Sequence, residues 1–229
     1  MRYGSLILIL IGLLTASAFG QNRSLAILPL NLGSGVSSPE KFNASTEATG
    51  ALYSALQKAS GVMVYRARAN HPSLSRAVAE GRLRRERLDP PYTGREVDGT
   101  WVGVRLGREL SADYVIVGTV EEFSSADGGK SARVTLNIDL LEVKTNRLVL
   151  SSAESGVGRI SDDQPVGNQA YISALNDAAS KIKAGVLEAV GVTEQSPEAQ
   201  KRNKRQGELG VAALFGVSFL IGLRLLTQR

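Results

Sequence analysis

Residues 112–123 read Ala-Asp-Tyr-Val-Ile-Val-Gly-Thr-Val-Glu-Glu-Phe, and the fold is organised around this stretch. Residues 114–117 form an unbroken run of apolar residues that favour β-strands. A strand that is apolar on both sides is usually covered on both faces, so the run predicts a central strand in a sheet layered by helices. Gly118 predicts a bulge or a close approach of another backbone, and the pattern turns polar after Val120.

The segments on either side of this strand extend the same architecture. Before it, residues 99–111 place Val102, Leu106 and Leu110 four positions apart, which predicts a helix with one buried face. After it, residues 132–156 contain two strand-like segments joined by a turn, and the first of them alternates apolar and polar side chains. We therefore expect an antiparallel meander that begins at the central strand.

The rest of the chain predicts parallel crossovers. The apolar periodicity and the turn residues indicate strands at 24–30 and 62–65, helices at 44–60, 72–88 and 169–190, and a Gly/Ser-rich loop at 31–42. In the last helix the predicted core stripe consists of Ile172, Leu175, Ala179, Ile182, Val186 and Val190. The order β-α-β-α-α-β-β-β-α predicts an α/β fold, in which a mixed parallel and antiparallel sheet carries helices on its faces.

The N-terminus predicts export. Arg2 supplies a positive start, residues 6–14 supply a short apolar run, and Ala18 and Gly20 supply the small residues of a cleavage site. We interpret residues 1–20 as a signal peptide; the alternative is an uncleaved anchor. The chain has no cysteine, which excludes disulfides, a thiolate nucleophile, a zinc–cysteine site and a lipid-modified cysteine.

The C-terminus predicts membrane attachment. Residues 209–223 carry no charge, but at ~1.5 Å each they reach only ~22 Å of a ~30 Å hydrocarbon layer. If Arg224 reaches back to the interface, residues 209–226 can serve as a transmembrane or membrane-associated helix. The alternative is a buried or partner-facing terminal helix. The expected parts are therefore a signal peptide (1–20), an α/β domain (21–191), a polar basic linker (192–208) and this apolar helix (209–226).

The excess of positive charge lies in the appendages. Of 27 Lys and Arg residues and 22 Asp and Glu residues in the chain, residues 21–196 hold 20 of each. The domain is neutral, so we expect no nucleic-acid partner. A membrane-proximal basic cluster lies in the linker and consists of Lys201, Arg202, Lys204 and Arg205.

Four motifs resemble those of one bacterial family. They are Leu-Ala-Ile-Leu-Pro-Leu at 25–30, the helix and strand at 52–64, the segment 106–120 with Leu-Ser-Ala-Asp-Tyr-Val-Ile-Val-Gly-Thr-Val at 110–120, and the paired strands at 134–151 with the hairpin Val-Lys-Thr-Asn at 143–146. In this order they resemble the envelope domain shared by curli-secretion CsgG, the penicillin-binding-protein activator LpoB and TolB N-terminal-like proteins. Asn146 stands where the family usually has glycine, an exchange that a type I′ turn tolerates.

The resemblance covers residues 24–190 and implies an exported, non-enzymatic scaffold that binds other envelope proteins or copies of itself. The matching residues are structural, so it carries over no catalytic residue, and we expect no cofactor. Two features depart from the family: the lipoprotein cysteine is absent, and a C-terminal apolar segment is present. We therefore expect a domain on the periplasmic face of a bacterial membrane, held there by its C-terminal segment.

One cluster of charges is a candidate contact site. Such a group is usually a solvated helix face, but it can also contact an anionic envelope polymer or lipid headgroups. Its members are Arg76, Arg82, Arg84, Arg85 and Arg87.

The alternative to a non-enzymatic scaffold is that the protein is an enzyme. Gly33-Ser34-Gly35 follows the first strand, where a phosphate-binding loop would lie, so loop 31–42 could serve a nucleotide or another small molecule. The motif lacks its third glycine, and Arg66 stands where an acidic ribose ligand is expected. His71 is the only histidine, and no nucleophile lies near it in sequence. Glu121 and Glu122 are predicted to point to opposite faces of their strand.

Overall fold

The computed structural model describes residues 23–39, 42–161 and 167–192. This part of the chain folds as a six-stranded sheet with four α-helices. The strands are β1 (Arg23–Ile27), β2 (Asn31–Leu32), β3 (Val62–Arg66), β4 (Tyr114–Ala126), β5 (Ser131–Glu142) and β6 (Arg147–Arg159). The helices are α1 (Ala44–Leu56), α2 (Pro72–Ala79), α3 (Val102–Glu109) and α4 (Gln169–Ala189), and a 3-10 turn spans Arg85–Leu88.

The sheet is mixed, as the sequence predicts. Its order is β3-β1-β4-β5-β6, with the short β2 also paired to β4. Strand β1 runs parallel to both β3 and β4, whereas β4, β5 and β6 form an antiparallel meander. Strand β4 is central, and Val115, Ile116 and Val117 are each 0% exposed. The prediction of a central strand covered on both faces is therefore confirmed.

Two cores lie on opposite faces of the sheet. The first contains residues of α1 and α4 packed on the apolar side of β5. The second contains residues of α2 and α3 packed on β1, β4 and the end of β5. The predicted buried face of α3 is confirmed, since Val102, Leu106 and Leu110 all lie in the second core. Helix α1 begins after Asn43, whose side chain accepts a hydrogen bond from the backbone N–H of Thr46 (3.0 Å).

Helix α4 lies unusually close to the edge strand β6. A Cβ atom at Gly156 would lie 1.9 Å from the carbonyl oxygen of Ala174, and one at Gly158 would lie 1.9 Å from that of Ala170. The helix approaches β6 through its alanines. The predicted core stripe is confirmed at five positions, which are all buried in the first core: Leu175, Ala179, Ile182, Val186 and Val190. Ile172, predicted to be in that stripe, is 40% exposed, so this part of the prediction is wrong.

The predicted helix 72–88 is shorter than expected. Helix α2 ends at Ala79, because Gly81 adopts a φ of +73°, a left-handed conformation that ends helices. The chain then runs through a loop into the 3-10 turn. His71 precedes the helix, and its Nδ1 accepts a hydrogen bond from the backbone N–H of Ser73 (3.3 Å). The only histidine is therefore a helix cap.

Two glycines in the centre of the fold are placed against backbone. A Cβ atom at Gly118 would lie 2.3 Å from the carbonyl oxygen of Asn137, which confirms the predicted close approach of another backbone. In the loop 31–42, the first residues form β2, and the N–H of Gly33 donates to the carbonyl of Val120 (2.8 Å). The start of the Gly/Ser-rich loop thus extends the sheet.

Predictions for the two ends fall outside the described residues. The signal peptide at 1–20, the linker beyond residue 192 and the apolar segment at 209–226 are not described. Among the helices at 23–192 that are described, none has both the length and the apolar character needed to cross a membrane.

Candidate functional site

Three of the predicted arginines lie around one cleft of about 390 Å³, which we call the arginine cleft. Arg82, Arg84 and Arg87 line it, and Arg105 joins them from α3. The sequence did not group Arg105 with the others, because it lies beyond the Pro90-Pro91 break in a different helix. The remaining lining residues are Gly81, Leu83, Glu96, Val97 and Asp98.

One wall of the cleft is anchored by a buried leucine. Leu83 is only 4% exposed and packs in the second core. The backbone N–H groups of Arg82 and Leu83 both donate to the carbonyl oxygen of Ala77, at 2.8 and 3.1 Å. With Leu83 held inside, its neighbours Arg82 and Arg84 remain at the surface and line the cleft.

The opposite wall is a tight turn, residues 94–101, which we call the cleft turn. The guanidinium of Arg95 lies 4.1 Å above the ring of Trp101. Asn146, in the hairpin between β5 and β6, holds the turn from outside. Its side-chain oxygen accepts from the N–H of Trp101 (3.0 Å), and its side-chain nitrogen donates to the carbonyl of Gly99 (3.3 Å).

Two ion pairs join the cleft turn to the arginines. Arg87 Nη2 lies 2.9 Å from Glu96 Oε2, and Arg105 Nη2 lies 2.7 Å from Asp98 Oδ2. The backbone N–H of Thr100, then its hydroxyl and then Arg105, hold the pKa of Asp98 below its usual range. Asp98 therefore keeps its negative charge, and with it the ion pair to Arg105, to a lower pH than an ordinary aspartate.

The other two arginines differ sharply in their partners. Arg82 donates from Nε and Nη2 to Glu80 (2.9 and 2.7 Å) and from Nη1 to Glu109. All three of its nitrogens are therefore engaged. Arg84 is exposed and makes no ion pair with any other residue in the described part of the chain.

The remaining basic residues of the prediction lie elsewhere. Arg85 lines a neighbouring cleft of about 540 Å³ together with Asp89. Arg76 is exposed on α2 and lines neither cleft. The basic cluster of the linker lies outside the described residues; it consists of Lys201, Arg202, Lys204 and Arg205.

A second feature is the side of β4, β5 and β6 that faces away from α4. We call it the open sheet face, and no helix of the described chain covers its outer part, where Ser151, Ala153 and Ser155 are exposed. Side chains are linked across the strands there: Thr135 Oγ1 lies 2.8 Å from Ser155 Oγ and donates to Glu122 (3.0 Å). The face also includes Thr119, Glu121, Asn137 and Asp139.

The open sheet face corrects one prediction. Glu121 and Glu122 were expected on opposite faces, but a β-bulge shifts the β4–β5 register between Val120 and Glu122. Glu121 accepts from Asn137 (2.8 Å) and Glu122 accepts from Thr135 (3.0 Å), and these two partners share one face of β5. The bulge thus turns both carboxylates to the same side.

The open sheet face ends at an edge that carries apolar side chains. Strand β6 pairs with β5 on one side, and no strand among the described residues pairs with its other side. Leu148 is 43% exposed and Val149 is 39% exposed. No group of three or more His, Cys, Asp or Glu side chains able to hold a metal occurs within the described ranges.

Comparison with known proteins gives structural matches only. No family model and no curated protein matches the chain. The PelC dodecamer from Paraburkholderia phytofirmans is 17% identical, covering 77% of this chain and 93% of that one (TM-score 0.43). A hypothetical protein from Chlamydia trachomatis is 12% identical, and the match covers 74% of this chain and 95% of that one (TM-score 0.44). The LpoB C-terminal domain from Escherichia coli is 16% identical, and the match covers 67% of this chain and 93% of that one (TM-score 0.37). Likeness at this level carries no argument about function, and family membership stays a prediction.

Proposed function

We propose that the protein is an exported, membrane-tethered, non-enzymatic binding and assembly module of the bacterial cell envelope. It acts as a scaffold or accessory protein, and it contacts an envelope protein or a second copy of itself through the open sheet face. The single observation behind this proposal is that no helix of the described residues covers the outer part of the β4–β5–β6 meander on one side, while α1 and α4 pack on the other side.

The side chains on the open sheet face suit a protein contact. They are short or hydrogen-bonded to one another, as the Ser155–Thr135–Glu122 hydrogen bonds illustrate. Binding a partner therefore costs little side-chain conformational entropy. Their mixture of hydroxyl, amide and carboxylate groups matches the polarity of non-obligate interfaces. The adjoining β6 edge is not paired with any other described strand, and β6 carries three exposed apolar side chains, Leu148, Val149 and Val157, features that proteins normally protect.

The location within the envelope is supported by the sequence. The three regions of a signal peptide occur in the right order at 1–20, and the apolar stretch at 209–226 can hold the domain to a membrane. The motifs at 24–190 resemble those of the CsgG, LpoB and TolB N-terminal-like domain. The enzyme alternative is weakened at loop 31–42, since the N–H of Gly33, which a phosphate would need, is already bound to Val120.

Site-specific photo-crosslinking in cells tests the proposal. A photoreactive residue at Ala153, exposed on the open sheet face, is compared with one at Ser180, exposed on α4. We expect Ala153 to yield a discrete adduct with an envelope protein or with a second copy, and Ser180 to yield none. Equal adducts from both positions, or none from Ala153, contradict the proposed surface. Saturable nucleotide binding in calorimetry that Gly35→Trp abolishes would support the enzyme instead.

A further inference from the structure

We propose that the arginine cleft binds a phosphate group, with the guanidinium groups of Arg84, Arg87 and Arg105 as its ligands. This inference is independent of the open sheet face, which lies on other elements. It narrows the general attraction of a basic surface for anions to one chemical group and three side chains. The proposal depends on which guanidinium N–H groups in the cleft are not already hydrogen-bonded within the protein.

The donors available in the cleft differ from one arginine to the next. A guanidinium has five N–H donors. Arg82 gives three of its five donors to Glu80 and Glu109, so it is the most occupied of the four arginines and we do not include it among the ligands. Arg87 and Arg105 each give one terminal nitrogen to a carboxylate of the cleft turn and retain the rest.

One donor in the cleft is buried without an acceptor. The Nε of Arg105 is buried and has no hydrogen-bond partner among the residues that the structure describes. A buried donor of this kind is costly, and in native proteins such a group usually serves a bound molecule or another specific role. Arg105 lines the cleft, but this Nε is closed to solvent, so an oxyanion bound there reaches it only if the side chain shifts. The role of Arg105 as a ligand therefore rests on its terminal nitrogens.

The geometry favours a tetrahedral oxyanion over a carboxylate. The three ligand arginines come from different places: Arg84 precedes the 3-10 turn, Arg87 lies within it and Arg105 lies on α3. A carboxylate has two oxygens in one plane, which suits a single bidentate guanidinium. A phosphate monoester offers three terminal oxygens in different directions, so it can accept from three guanidiniums at once.

The ion pairs of the cleft leave one of the three ligand arginines unpaired. Glu96 pairs with Arg87 and Asp98 pairs with Arg105, whereas Arg84 has no ion-pair partner among the described residues. Arg82 is paired with two carboxylates, Glu80 and Glu109, and adds no unpaired positive charge. A bound phosphate can therefore pair with Arg84 and accept further hydrogen bonds from Arg87 and Arg105 without breaking either ion pair.

The test uses a reporter that the protein already contains. Trp101 is the only tryptophan, and it belongs to the cleft turn that carries Glu96 and Asp98. The full-length protein in neutral detergent is titrated with inorganic phosphate and with glycerol phosphate, against chloride at matched ionic strength. We expect a saturable change of Trp101 fluorescence with the two phosphates and none with chloride.

Variants then assign the response to the cleft. Arg84→Gln and Arg105→Gln each remove charge-assisted hydrogen bonds, and each should weaken phosphate binding by roughly tenfold or more. Arg108→Gln is the matched control, since Arg108 is exposed on the same helix and does not line the cleft; its affinity should change less than about twofold. A fluorescence change that is not saturable, or that survives Arg84→Gln and Arg105→Gln unaltered, overturns the proposal.

A further arm identifies the source of the phosphate group. The same variants are titrated with mixed micelles that contain phosphatidic acid, a lipid phosphate monoester, or only phosphatidylcholine. A response to inorganic phosphate or glycerol phosphate supports a soluble ligand, and a response confined to phosphatidic acid micelles supports a lipid headgroup. Both outcomes keep the phosphate site, whereas absence of a response to inorganic phosphate, to glycerol phosphate and to phosphatidic acid overturns it. Crosslinking from Ala153 is unaffected by any of these results, so failure here and failure of the proposed function are distinguishable.

Discussion

Asn146 is the residue at which the hairpin of the meander meets the cleft turn. It adopts a φ of +56°, and its side chain bonds both the N–H of Trp101 and the carbonyl of Gly99. Glycine would satisfy the backbone conformation alone, whereas asparagine satisfies the backbone and bridges two segments that lie 45 residues or more apart. The asparagine at this position therefore supports the arginine cleft as well as the turn.

The two roles of Asn146 can be separated by substitution. We expect Asn146→Gly to lose about 1–3 kcal/mol of stability, because the two hydrogen bonds to the cleft turn are removed. Asn146→Ala should lose about 1–2 kcal/mol more, since alanine tolerates the left-handed conformation poorly. Urea unfolding followed by Trp101 fluorescence measures both variants. Wild-type stability and an unchanged emission spectrum in Asn146→Gly would show that the bridge contributes nothing.

At the scale of elements, the contact between α4 and β6 explains why the meander has one open face and one closed face. Two glycines of β6 let the backbone of α4 approach to a distance at which a Cβ atom cannot fit. The helix covers this side of the edge strand by means of Ala170, Ala174 and Ala178, all of which are 0% exposed. The polar side chains of β5 lie mainly on the opposite side, whereas β6 also places the half-buried Ser152 and Glu154 on the side of α4.

A single methyl group should disturb this contact. In Gly156→Ala the new Cβ would lie 1.9 Å from the carbonyl oxygen of Ala174 and 2.6 Å from the backbone nitrogen of Ala178, so the helix must shift. We expect a loss of about 1–3 kcal/mol or more, the cost of overpacking a filled core. Gly94→Ala is the control, because nothing lies within 4 Å of its Cβ position. Thermal melting compares the two variants, and Gly156→Ala should melt at a lower temperature than Gly94→Ala. Equal melting temperatures would contradict the close packing of α4 on β6.

For the whole molecule, the signal peptide and the distribution of basic residues give opposite indications of the side of the membrane on which the domain lies. Residues 21–196 are neutral, and a basic cluster stands just before the apolar segment 209–226. A signal peptide places the domain outside the inner membrane, whereas basic residues next to a span favour the inside. We give the signal peptide more weight, because a basic cluster can also bind anionic headgroups without setting the orientation.

Truncation and protease access test this topology. Deletion of residues 209–229 should release the domain into the soluble periplasmic fraction, because the apolar segment is the proposed anchor. Protease added to spheroplasts should digest the domain of the intact protein. A domain that is protected until the cells are lysed would lie in the cytoplasm, and the proposed export would then be wrong.

The amino-acid sequence by itself determined the parts of the fold that depend on local periodicity. The run at 114–117 predicted the central strand, the alternation after residue 132 predicted a half-buried strand, and the spacing of Val102, Leu106 and Leu110 predicted the buried face of α3. These predictions hold because side chains alternate along a strand and recur every three to four residues along a helix, whatever the distant partner is.

The candidate site was decided only by the tertiary structure. Arg105 joins Arg84 and Arg87 because α3 and the 3-10 turn pack on one core, and no local pattern records that contact. The bulge that turns Glu121 and Glu122 to one face arises from pairing with β5, and the exposure of Ile172 follows from where α4 touches β6. Periodicity states that an element has a buried face, but which residues meet across that face depends on how elements distant in sequence pack together.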